Sequence, residues 1–209
     1  MTRKRVAILI SGRGSNMAAL IEAAKAPDYP ADIVLVVSNR PDAAGLARAK
    51  NASIATTVVD HTAYGKDRET FERALQAELE AHRIDLVCLA GFMRLLSPWL
   101  VERWRGRMLN IHPALLPAFK GLDTHRRALA AGATMHGATV HLVVADVDSG
   151  PILIQEGLPV RADDTEETLS ARVLEIEHRI YPQALKLLAQ GQPGGLKKQY
   201  PRPQGPGGN

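Results

Sequence analysis

Val6-Ala7-Ile8-Leu9-Ile10-Ser11-Gly12-Arg13-Gly14-Ser15-Asn16 is the stretch from which the architecture can be read. Five consecutive apolar residues run into a glycine-rich turn, and a helical pattern begins near Met17. An apolar run without alternation belongs to a strand covered on both faces, as in a parallel sheet. The turn presents backbone amides at a helix N-terminus, where the helix dipole also favours a phosphate. As a dinucleotide fingerprint it is incomplete, because the third glycine of G-x-G-x-x-G would fall at Met17. The second strand candidate ends in Ser38-Asn39-Arg40 and offers no acidic residue for a ribose. Arg40 could still meet the extra phosphate of NADP, so an NADP-binding reductase using this turn remains an alternative.

Working outward, similar apolar runs recur at Ile33–Val37, Ala55–Val59, Leu86–Leu89, Met108–Ile111, Thr139–Val144 and Ile152–Gln155. Amphipathic segments separate them. In Asp67–His82 the residues Phe71, Leu75 and Leu79 form one stripe at helical spacing. Near the end, Leu169, Val173, Ile176 and Ile180 make another, and Asp164 is expected to cap that helix with Glu167 completing a capping box. Strands alternating with helices predict an α/β fold: a single doubly wound, mostly parallel sheet with helices on both faces. The expected domain covers residues 1–190. The remaining stretch, 191–209, holds six glycines and four prolines and is expected to be a flexible tail outside any packed element.

The chain has 209 residues, enough for one domain that hides roughly 70% of its unfolded surface. Its 45% hydrophobic and 23% charged residues exclude whole-chain disorder. No apolar run approaches the ~20 residues needed to cross a bilayer. Thr2-Arg3-Lys4-Arg5 superficially suggests a secretory leader, but the apolar run behind it is short and ends in glycines, so a cytoplasmic location is expected. The single cysteine, Cys88, excludes an intramolecular disulfide framework and any multi-cysteine metal site. Set within Leu86-Val87-Cys88-Leu89, it reads as a small buried hydrophobe. A net charge of +4 suits an anionic small molecule as well as nucleic acid, and 4% aromatic residues leave few stacking platforms for the latter.

Two further motifs carry polar chemistry. In Asn110-Ile111-His112-Pro113 the amide and the imidazole are two residues apart, so both can point one way at a strand's end. That edge is where open α/β sheets bind ligands. An amide donor beside an imidazole can stabilise an oxyanion and move a proton. Val147-Asp148-Ser149-Gly150-Pro151 supplies a carboxylate that could hold the imidazole's tautomer and its charged form, although Asp148 also suits a plain turn. His136 and His141, five apart, would face opposite sides of a strand, so no metal site is expected there. His61, His82 and His178 read as surface or packing residues.

Taken in order, Ile10–Asn16, Leu89–Leu96, Asn110–Pro113, Gly121–His125 and Asp148–Pro151 resemble the folate-dependent phosphoribosylglycinamide formyltransferase family of purine synthesis. The likeness runs from residue 5 to about residue 190. It implies 10-formyltetrahydrofolate as cosubstrate, small-molecule partners only, no metal, and a monomer or homodimer. By the same likeness Gly12, Arg13, Gly14, Ser15 and Asn16 would hold the substrate's phosphate and ribose, and Glu177 its amine end. Arg68, Met93, Arg94, Leu95, Leu96 and Asn110 would line the folate site. Asn110, His112 and Asp148 would be catalytic, with Asp148 keeping His112 charged and relaying a proton. Ala114 stands where many relatives carry Ser, and Asp123 where some carry His. Relatives with an added RNA-binding or regulatory domain are not expected to fit, and hydrolysis of the formyl folate is the alternative within this chemistry.

Overall fold

The computed structural model describes residues 2–192 and the backbone of 197–199. Its sheet has the order β3-β2-β1-β4-β5-β6-β7-β8. The strands are β1 (Lys4–Ile10), β2 (Ala31–Ser38), β3 (Ala55–Val58), β4 (Leu86–Leu89), β5 (Met108–His112), β6 (Met135–Leu142), β7 (Ile152–Pro159) and β8 (Lys197–Gln199). From β3 to β5 all neighbours are parallel; β6 runs antiparallel to both β5 and β7, and β8 is parallel to β7. The chain winds outward from β1 to β3, then returns to place β4 on the other side of β1. Loops leaving β1 and β4 therefore diverge and open a crevice at their C-terminal ends.

The helices are α1 (Ser15–Ala24), α2 (Ala44–Asn51), α3 (Arg68–Ala81), α4 (Pro98–Arg103), α5 (Thr124–Ala130) and α6 (Glu166–Ala189). Two apolar layers explain the unbroken run in β1. Val6, Ile8 and Ile10 pack into the layer shared with α1 and α6, while Ala7 and Leu9 pack into the layer beneath α3 and α4. The predicted stripe of α3 is buried at Phe71, Leu75 and Leu79.

Several expected boundaries move. β6 starts at Met135 rather than Thr139, β7 extends to Pro159, and α1 begins at Ser15 rather than near Met17. Thr165, not Asp164, caps α6, and its box partner is Thr168, not Glu167. Thr165 holds the extended backbone a cap requires, whereas the Asp164 carboxylate is taken by the Arg161 amide at 2.8 Å and Arg172 at 2.5 Å. The stretch expected to stay unpacked contributes the backbone of Lys197–Gln199 to the sheet edge; it lies in the tail's one five-residue interval free of Gly and Pro. The rest of the expected tail beyond residue 192 lies outside the described residues.

Candidate active site

The turn after β1 is built for close approach. Gly14 caps α1 with φ +71°, and a Cβ there would meet the Met17 side chain at 2.9 Å and the Gly45 backbone at 3.0 Å. Both terms favour glycine. Ser11 ties three strand ends together: its amide donates to Gly91 O at 3.1 Å, its hydroxyl to Asn39 at 2.5 Å, and it accepts from the Met93 amide at 2.8 Å. Around this turn lies a cavity of about 320 Å³ lined by residues 11–16, Arg40 and Met93. Asn16 Nδ2 donates to Glu177 Oε2 at 2.5 Å, which brings the start of α1 against α6. Burial raises the Glu177 carboxyl above its ordinary range, and the Asn16 contact only partly opposes this.

A second cavity, about 330 Å³, opens beside it along β4, β5 and β6. Its walls include Arg68, Arg94, Leu95, Leu96, Asn110, His141 and Asp148. Of the residues expected to line one folate site, Met93 is the exception: it lines the turn cavity instead, 65% exposed.

Register sets up the polar cluster. Leu89 pairs with Asn110, and Asn110 with His141, so three strands bring their ends to one rim. Residues directly opposite on antiparallel strands share a face, which puts His141 beside Asn110. The nitrogens Asn110 Nδ2 and His141 Nε2 are 3.3 Å apart, and Asn110 Nδ2 lies 3.5 Å from Asp148 Oδ1. His112 Nδ1 is 3.3 Å from Asp148 Oδ2, and His141 Nε2 is 3.5 Å from Asp148 Oδ1. The Gly121 amide also donates to Asp148, at 2.9 Å. Thus the predicted trio does converge, and its centre is the carboxylate. Asp148 itself sits in the left-handed region, φ +50°, which turns its side chain back toward the rim.

Electrostatics correct one expectation. Burial pushes the Asp148 carboxyl upward, but His141, the Gly121 amide and His112 together hold it below its ordinary value. His112 was expected to stay charged beside it. Burial is the larger effect and holds the His112 imidazole below the usual histidine range, with the Phe119 carbonyl and Asp148 opposing. His112 Nε2 is also committed, 2.9 Å from Phe119 O.

His141 is the site residue that the spacing argument passed over. His136 lies on the opposite face, as the spacing predicts, 3.2 Å from His125. The missing signal was the cross-strand partner of Asn110, which no local pattern supplies. Among the described residues, no group of His, Cys, Asp and Glu is placed to hold a metal ion, and no helix is long and apolar enough to cross a membrane.

Residues 4–185 match the formyl transferase family. The chain is 45% identical over 186 residues to the phosphoribosylglycinamide formyltransferase of Escherichia coli K12, covering 89% of this chain and 87% of that protein. It is 52% identical over 189 residues to the trifunctional purine biosynthetic protein adenosine-3 of Bos taurus. That match covers 90% of this chain but 19% of the longer protein, so the chain spans about a fifth of such relatives. The crystal structure of phosphoribosylglycinamide formyltransferase from Brucella melitensis is similar with a TM-score of 0.86 at 53% identity, covering 90% of this chain and 96% of that one. A match that runs nearly the whole length of the sheet domain, at identities of this order, makes the chain a member of the formyl transferase family.

Proposed function

We propose that the chain transfers the formyl group of 10-formyltetrahydrofolate to the amine of 5'-phosphoribosylglycinamide, a step of purine synthesis. The observation that carries this reading is a single buried carboxylate, Asp148, faced by Asn110, His112 and His141 on the wall of a cavity next to a glycine turn. The name of the E. coli relative, matched over most of its length, supports it. The relatives do not favour the reductase alternative, and Arg40 spends its guanidinium on Asp42 at 3.0 and 2.8 Å.

In this reading the turn from Gly12 to Asn16 takes the phosphate and ribose, and Glu177 accepts from the amine end. The folate ring enters the second cavity among Arg68, Arg94, Leu95 and Leu96. The amine attacks in its neutral form. Its nitrogen bonds to the formyl carbon, the carbonyl electron pair moves onto oxygen, and the bond to the folate nitrogen then breaks. A surplus proton must pass from the attacking nitrogen to the departing one.

Asn110 Nδ2 is the freest donor for the oxyanion, because its contacts at 3.3 and 3.5 Å are long ones to give up. His112 Nε2 would exchange the Phe119 carbonyl for the same oxygen. Asp148, ionised at neutral pH, would relay the proton through a water. An oxyanion donor supplies ~3 kcal/mol of barrier reduction and positioning ~7–11 kcal/mol. No covalent intermediate is required. Cys88 is no nucleophile in this scheme: it is fully buried, and burial pushes its thiol up to about 12.

The test is formyl consumption measured with and without the glycinamide substrate. Transfer needs the amine. Equal consumption in its absence would assign hydrolysis of the formyl folate instead, and thermal protection by NADP but not by folate would restore the reductase alternative.

A further inference from the structure

Glu72 is a fully buried carboxylate that the reaction scheme leaves unused. It sits on the inner face of α3, and both its oxygens are taken by one residue. The Ser97 amide donates to Oε1 at 2.6 Å, and the Ser97 hydroxyl donates to Oε2. Ser97 is the N-cap of α4, yet its own side chain makes no capping bond. A hydroxyl that would ordinarily stabilise its helix by capping it is directed to Glu72 instead. Such an exchange needs another reason, and the adjoining residues supply one. Phe92, Arg94, Leu95 and Leu96, immediately before Ser97, form one wall of the second cavity.

Other residues of the same α3 face lie beside that segment and α4. Arg68 lines the cavity itself. The Arg94 guanidinium lies 6.0 Å from the centre of the Phe71 ring. Past the segment, Gln76 Oε1 accepts from the indole of Trp104, the residue that ends α4, at 2.7 Å. Helical spacing puts 68, 72 and 76 on one line, so one face of α3 carries a cavity-lining residue, the Ser97 contact at the start of α4 and the Trp104 contact at its end.

We infer that Glu72 is a positioning residue for the folate cosubstrate: through Ser97 it fixes the Phe92–Leu96 wall against which the ring would lie. This rests on the proposed folate assignment of the cavity. An unbraced wall would have to be ordered by the ligand, which weakens affinity without touching the reacting atoms.

The experiment uses the whole chain, with calorimetric binding of tetrahydrofolate and steady-state kinetics in both substrates. Glu72→Leu fills the same space but leaves the Ser97 amide and hydroxyl unpaired. It should weaken folate binding and raise its KM about tenfold, equivalent to ~1.4 kcal/mol. At saturating folate, kcat and the KM for the glycinamide substrate should stay within twofold. Glu72→Gln can accept from the amide and donate to the hydroxyl, so it should restore folate affinity. Should Glu72→Leu fail to fold, Ser97→Ala removes the hydroxyl contact alone and should raise the folate KM in the same selective way. Wild-type folate affinity in both Glu72→Leu and Ser97→Ala, or an equal loss for both substrates, overturns the inference alone. Wild-type protein that binds no folate overturns the cosubstrate assignment and this inference with it.

Discussion

The carboxylate of Asp148 lies 3.3 Å from Nδ1 of His112, with both side chains more than nine-tenths buried. Polar pairs this well hidden are costly to disrupt from one side, because the remaining partner is left unsatisfied. The pair joins β5 to the turn before β7, and the Gly121 amide and His141 complete its shell.

Asp148→Asn tests the carboxylate. The amide can accept through one oxygen only, so its nitrogen must face a donor such as the Gly121 amide. A loss of about 1–3 kcal/mol in stability is expected, read from urea unfolding. Turnover should fall by roughly 10²–10⁴, the usual contribution of a proton-transferring group, while the KM for each substrate changes little. Near-wild-type turnover would remove Asp148 from the proton path.

His141→Ala separates support from chemistry. The hydrogen bond from His141 is the leading influence that lowers the Asp148 carboxyl. Without it the carboxyl titrates higher, and the acid limb of the kcat/KM profile should move to higher pH. At a pH well above that limb, activity should be largely retained. An unmoved acid limb with uniformly low activity would make His141 a packing residue.

Much of the site was legible from local pattern, and the reasons are specific. Asn110 and His112 share a strand, so their two-residue spacing fixes a common face, and the Gly12–Asn16 turn announces itself by composition. Asp148 stood between two readings, a carboxylate partner for the imidazole and a plain turn former, and only likeness to a family separated them, since nothing local distinguishes Asp-Ser-Gly-Pro from an ordinary turn. His141 and Glu72 escaped because their partners, Asn110 and Ser97, lie 31 and 25 residues away in the chain. Short helices such as α2, α4 and α5 escaped for a different reason: six to eight residues give too few turns for an apolar period to stand out. The charge of His112 was misjudged because a sequence shows a partner carboxylate but not the depth at which the pair is buried.

That depth also predicts acid sensitivity. His136 is completely buried, and burial, with His125 and His112 nearby, lowers it to about 4. Below about 6.5 the unfolded chain binds a proton on this imidazole that the folded chain refuses. Stability should therefore fall as pH drops from about 6.5, with this residue's share of ~3 kcal/mol fully lost near 4. His112 and His125, also lowered by burial, act in the same direction, while Glu177, raised, acts against it. Urea midpoints between pH 4 and 7 should show this slope in the wild type and a shallower one in His136→Phe. Equal slopes would place the acid loss elsewhere.

The final prediction concerns Arg13, an exposed guanidinium on the glycine turn that lines the first cavity and not the second. Backbone amides at the start of α1 can hold a phosphate by themselves, but a guanidinium above them adds a charge-assisted contact that can be bidentate. Arg13→Glu replaces that attraction with repulsion at the same place. The KM for the phosphorylated amine should rise at least about tenfold, which corresponds to ~1.4 kcal/mol. Because the turn is open to solvent, raising salt from 0.05 to about 0.5 M should shrink the difference between variant and wild type as the charges are screened. Folate KM should hold, since the residue is absent from that cavity's walls. A variant that lost folate affinity and kept its affinity for the phosphorylated amine would mean that the two cavities have been assigned the wrong way round.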